Sequence, residues 1–201
     1  MTTAKDLFSI VMDPGSVHTV GQGDLSLALA GAELVDLIGA GAVALDGDRI
    51  VPGGPSAPGD RTLGEAAAAL TRQPPYESVE DWLWRRGRDL AAAYQAVLEE
   101  DGELTRKRSG RLSFGPDRLE PVETPARRRA ADRWAAREPV LLSLAACVGA
   151  GPEDSADEPE PGDEAVATVV KVVHDAVTEL EAVRQRRSIE NAAFANLWRG
   201  P

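Results

Sequence analysis

Four cations crowd one short stretch of this chain, Arg106-Lys107-Arg108-Ser109-Gly110-Arg111, and three more arginines, Arg85, Arg86 and Arg88, stand upstream of it. A guanidinium group offers a planar fork of N–H donors that matches two oxygens of a phosphate or carboxylate, so these residues suit anion recognition. Near an anionic bilayer each Lys or Arg contributes about 1 kcal/mol, and four of them give weak, reversible, salt-sensitive attachment. Two plainer readings stand beside this one: a solvated hairpin whose charges block edge pairing, and an exposed helix end at Arg85, Arg86 and Arg88.

Catalytic patterns are missing from the sequence. It contains no Gly-x-Gly-x-x-Gly, no P-loop and no paired-cysteine metal motif. His18 and His174 are isolated from one another and from any cysteine partner, a poor basis for a metal site. Asp13, Asp24, Asp46 and Asp48 fall at turn and cap positions, which accounts for them without acid–base work. No enzymatic activity, metal or cofactor is expected. Cys147 is the one cysteine, which excludes an internal disulfide, and its apolar neighbours predict a small buried side chain.

With 201 residues, 43% of them hydrophobic, the chain can bury a sizeable core as a single domain. The first residues show no secretory pattern and no run of 18 apolar residues occurs, so a cytoplasmic protein is expected, peripheral to a membrane if it meets one. The net charge of −11 argues against general nucleic-acid binding. Charge is uneven, however. Residues 84–137 hold 13 Lys and Arg against 9 Asp and Glu, whereas residues 153–164 hold seven acids and no base, interleaved with Pro and Gly. The acidic stretch, from about 151 to 164, reads as a flexible linker.

The elements that must position these charges are mainly helical. Residues 140–148 are apolar except for Ser143, which predicts a buried helix at the centre of the fold, opened by Pro139 and closed by Gly149. A longer apolar helix follows Asp24, and residues 42–51 read as a β-hairpin around Asp46-Gly47. Thr62 with Glu65, Ser78 with Asp81, and Thr124-Pro125 mark three further helix starts. A helix over about 88–100 leads into the basic hairpin, entered at Leu104 and left through Leu112 and Phe114. The repeat of Val166, Val169, Val170, Val173, Val177 and Leu180 is the strongest amphipathic pattern, and Ser188 is placed as the cap of a separate last helix.

The helix Leu27-Ala-Leu-Ala-Gly-Ala-Glu-Leu-Val-Asp-Leu-Ile-Gly-Ala-Gly-Ala-Val-Ala-Leu45, the segment Ser78-Val-Glu-Asp-Trp82 and the run Val97-Leu-Glu-Glu-Asp-Gly-Glu-Leu-Thr-Arg106 resemble the Golgi phosphoprotein 3 family in the form found in bacterial genomes. The resemblance covers residues from Asp6 to about Trp198. It implies one mainly helical domain around a hydrophobic central helix. It also implies a non-enzymatic peripheral membrane adaptor, which in eukaryotic members binds phosphatidylinositol 4-phosphate and oligomerises through the hairpin. Of the headgroup positions it implies, an aromatic falls at Gly21 and an arginine at Ala30. Of an arginine pair the first is kept as Arg88, while the second is Ala91.

The leading expectation is therefore an adaptor for anionic membrane lipid, with Arg88 on phosphate and Arg85 and Arg86 assisting. Arg106, Lys107, Arg108 and Arg111 would touch the bilayer or another copy, and protein clients are implied. One alternative is a winged-helix nucleic-acid binder, disfavoured by Glu99, Glu100 and Asp101 at the end of the would-be recognition helix. The other is a helical protein-interaction module with no lipid ligand.

Overall fold

The computed structural model describes residues 2–13, 19–54, 59–107, 118–152 and 161–197. Among the described residues the chain runs α1 (Thr3–Val11), α2 (Gln22–Gly39), β1 (Val43–Asp46), β2 (Arg49–Pro52), α3 (Arg61–Ala68), α4 (Val79–Arg86), α5 (Leu90–Glu100), β3 (Leu104–Lys107), β4 (Arg118–Pro121), α6 (Pro125–Ala135), α7 (Pro139–Cys147) and α8 (Glu164–Leu197). The class is mainly α with two antiparallel hairpins, as expected.

The helix at the centre is α2. Every residue from Leu25 to Val35 is buried, and α1, α3, α4, α5, α7 and α8 all pack on it. Its Ala and Gly positions make this possible by letting neighbouring backbones come close. At Gly31 a β-carbon would collide with Cγ2 of Val173, so α8 crosses α2 at this point with no room for a side chain. The apolar run expected at the centre forms α7, which is buried over Leu141–Ala145 but only half-buried at Val140, Ala146 and Cys147. Apolar density signals burial; it does not say how many neighbours share the burying. Helix α7 keeps its one polar side chain satisfied internally, Ser143 Oγ donating to the Pro139 carbonyl at 2.9 Å.

Local signals set most boundaries. Ser78 Oγ accepts from the Asp81 N–H at 3.0 Å and Thr124 Oγ1 from Arg127 at 3.1 Å, starting α4 and α6 where expected. The first hairpin pairs Asp46 with Arg49 across Gly47, which takes φ +60°. Other boundaries moved. Helix α3 is capped by Asp60, whose Oδ1 accepts from Leu63 N–H at 3.1 Å, and Thr62 donates to that same oxygen at 2.6 Å instead of capping. Helix α2 begins after Gly21, with Asp24 inside its first turn. Asp36 on α2 accepts from the Ala4 N–H at 3.4 Å and so fastens the start of α1.

Helix α8 runs unbroken through Ser188, since neither Gly nor Pro interrupts residues 164–197. In the second hairpin Leu104 pairs with Pro121 and Lys107 with Arg118, so the return strand lies past Leu112 and Phe114. The ladder is anchored at its base, where Val122 N–H donates to Glu103 O at 2.8 Å just before α6 begins. Leu112, Phe114, Arg108 and Arg111 lie outside the described residues, as does the linker over 153–160.

Candidate functional site

The three upstream arginines fare differently. Arg86 sends Nε and Nη2 onto the two oxygens of Glu33, both at 2.8 Å, and Tyr94 Oη donates to Glu33 at 3.1 Å. Glu33 is fully buried, and that burial pushes its carboxyl above the usual range against the pull of Arg86 and Tyr94. Arg85 grips Glu77 at 2.6 and 2.7 Å, reaches the Ala69 carbonyl at 3.1 Å, and lies 5.2 Å from the centre of the Trp82 ring. Both side chains tie the fold together. Arg88, in the turn between α4 and α5, is exposed and has no ion-pair partner among the described residues.

Arg88 stands on the rim of an open groove of about 260 Å³ whose walls include Gln22, Gly23, Trp84 and Leu180. Two helix starts meet here. The first turn of α2 follows Gly21 without a side-chain cap and carries the Asp24 carboxylate, which is paired with Arg184. The start of α5 is closed from outside: Ser26 Oγ, on α2, accepts the Ala91 N–H at 3.0 Å, because Asp89 sits at φ +53° and supplies no cap. Asp89 also lines the groove and opposes the positive charge. Ala30 and Ala91 are buried in the core, and the Ala30 carbonyl accepts the Trp82 indole N–H at 3.0 Å. Of the implied headgroup positions, Gly21 is half-buried and Arg88 exposed at the surface.

The basic hairpin is partly committed as well. Arg106 binds Glu99 through Nε at 2.9 Å and Nη2 at 3.1 Å, which holds the Glu99 carboxyl below its usual range and straps β3 to α5. Lys107 ends β3 opposite Arg118.

A second groove, about 520 Å³, lies between the start of α2, the end of α7 and α8. Arg184 crosses it to Asp24 with both oxygens at 2.7 Å, and Cys147 forms part of its wall, half-buried and not enclosed as expected. Among the described residues no group of three His, Cys, Asp or Glu side chains could hold a metal, and no helix is long and apolar enough to cross a membrane.

The model of one protein family, described as Golgi phosphoprotein 3 (GPP34), matches residues 4–193. The chain belongs to the Golgi phosphoprotein 3 family. The match takes in the whole architecture from α1 into α8, including the groove at Arg88 and the second hairpin. A search of curated proteins finds no match to this family member.

Sequence reasoning missed Trp84 as a groove wall and the uncapped start of α2 as its neighbour. A signal for the first was present. Residues two apart on a helix point about 200° apart, so Trp82 and Trp84 could not both enter one core.

Proposed function

We propose that this member of the Golgi phosphoprotein 3 family is a non-enzymatic peripheral adaptor that binds anionic lipid headgroups at the Arg88 groove. The observation that carries the reading is the exposed Arg88, free of carboxylate pairing among the described residues, in a groove shared with Gln22 and Gly23 of the uncapped first turn of α2. The helix end adds about 0.3–1 kcal/mol for a bound anion, comparable to one surface cation. Affinity is therefore modest and depends on further cations, of which Lys107 at the end of β3 is one, while Arg106 is held by Glu99 and Arg108 and Arg111 lie outside the described residues. Arg85 and Arg86 act at one remove, by fixing α4. With alanine at 30 and 91 and glycine at 21, the groove responds to headgroup charge more than to the inositol 4-phosphate pattern.

A nucleic-acid reading would need α5 to enter a groove of the duplex. Leu90, Ala91, Tyr94 and Leu98 are buried in the core instead, and the free end of α5 carries Glu100 and Asp101.

Sedimentation with liposomes tests the proposal. Binding to anionic vesicles with little to neutral phosphatidylcholine is expected, and Arg88→Glu lowers it severalfold. Equal sedimentation of the Arg88→Glu and unaltered chains, or no anionic preference, overturns it.

A further inference from the structure

The groove at Arg88 offers more than a cation. Among its described walls the charged residues are Arg88 and Asp89, neighbours on one turn and both exposed. Their opposite charges offset one another, so a bare anion gains little from charge alone. Most of the remaining lining is apolar. Leu27 is buried, Trp84 and Leu180 are half-buried, and Gly23 and Gly87 add no side chain to fill the space. Trp84 projects here because Trp82, about 200° around the same helix, takes the buried position. One polar group of the lining is only half used. Ser26 is 5% exposed, and its Oγ accepts the Ala91 N–H at 3.0 Å, but its hydroxyl hydrogen has no acceptor among the described residues. A cation on the rim, a spare buried donor and apolar walls thus share one groove of about 260 Å³.

We infer that this groove receives an anionic amphiphile as a molecule, its charged oxygens on Arg88 and Ser26 and the first carbons of its chain against Trp84, Leu27 and Leu180. The inference rests on the headgroup reading above and extends it, from charge at a membrane surface to one bilayer lipid drawn partly out of its layer. Trp84 suits the border between the two parts of such a ligand, because an indole joins an apolar body to a polar N–H edge. The balance of effects favours the chain as the source of affinity. Burying one methylene multiplies a binding constant about fourfold, whereas Arg88 acts against the neighbouring charge of Asp89. The head therefore sets orientation and the chain sets strength. A groove of this size covers the start of a chain and leaves the rest in the membrane.

Two soluble probes separate head from chain. Methyl phosphate and octyl phosphate carry the same charged group and differ only in the alkyl tail. Titrated calorimetrically into the full chain, with octyl phosphate kept below its aggregation point, the longer probe should bind about tenfold more tightly or better, what two buried methylenes supply. Trp84→Ala should lower octyl phosphate far more than methyl phosphate and bring the two together, and Arg88→Glu should weaken both. Leu180→Ser tests the same wall from α8, should Trp84→Ala fail to fold by circular dichroism. With phosphatidylglycerol liposomes, Trp84→Ala should sediment less than the unaltered chain. Equal affinity for the two phosphates overturns the inference, and the headgroup reading then stands alone if Arg88→Glu still lowers liposome binding. An octyl advantage that survives both wall variants overturns it too, since the chain then lies elsewhere. Unchanged sedimentation of Trp84→Ala would overturn the bilayer as the source. If neither phosphate binds and anionic liposomes are not preferred, both readings fall.

Discussion

Replacing Arg86 with alanine tests how the interior of this fold handles charge. Glu33 is fully buried and takes three hydrogen bonds, two from Arg86 and one from Tyr94. Without the guanidinium it keeps only the tyrosine, and the uncompensated buried charge costs about 3–5 kcal/mol. Arg86 itself retains 18% exposure, so water can enter the vacated space, which places the expected loss near the lower end, about 3 kcal/mol. The loss depends on pH. Burial already raises the Glu33 carboxyl in the unaltered chain, and loss of the arginine raises it further. A group raised on folding contributes stability at low pH and loses it as the pH climbs through its folded value. The destabilisation by Arg86→Ala is therefore full at neutral pH and shrinks on acidification, as Glu33 takes up a proton and becomes a neutral hydrogen-bonding group. Urea unfolding at several pH values reads this as the difference in free energy between the two chains. A loss under about 1 kcal/mol at neutral pH, or the same loss at acid pH, would refute the reasoning.

Two further outcomes follow from the core. Burial pushes Asp36 up from 3.8 to about 6, opposed by its bonds from Thr3 and Ala4, a gap worth up to about 3 kcal/mol. That contribution is complete below the unfolded value and fades as pH rises through 6, so Asp36→Asn should flatten the fall in thermal stability between mildly acid and neutral pH; an unchanged profile would count against it. Gly31→Ala drives a methyl into Val173 and should cost about 1–3 kcal/mol in urea unfolding, with Val173→Ala restoring much of it. Failure of that rescue would mean the helices have room at their crossing.

The legible parts of the sequence were those whose signals act over a few residues. Ser78 caps the N–H of a residue three positions away, and Gly47 turns a hairpin only four residues wide, so both could be read in place. What stayed hidden depends on distant partners. Arg86 looks like a surface cation until Glu33, 53 positions earlier in the chain, is brought against it. For the same reason the richest apolar run was mistaken for the centre, which α2 occupies through its small residues and its many neighbours. Of the expected site, Arg88 emerged as a solvent-facing group and Arg85 and Arg86 as internal ties. The error over Ser188 has another origin: a serine ahead of apolar residues resembles a cap, but capping also needs a break before it, and nothing in α8 supplies one.

The turn that carries Arg88 is pressed hard against α2. A β-carbon at Gly87 would lie 2.5 Å from the Leu83 carbonyl oxygen and 3.3 Å from that of Ser26, while Ser26 Oγ holds the Ala91 N–H three residues past Arg88. The turn that carries the arginine is thus held against buried Ser26 of the central helix near both of its ends. A mount of this kind leaves little rearrangement for an arriving ligand to wait for, so encounter should proceed at a rate set by diffusion and charge. Differences among ligands and variants should then appear as differences in how long they stay bound.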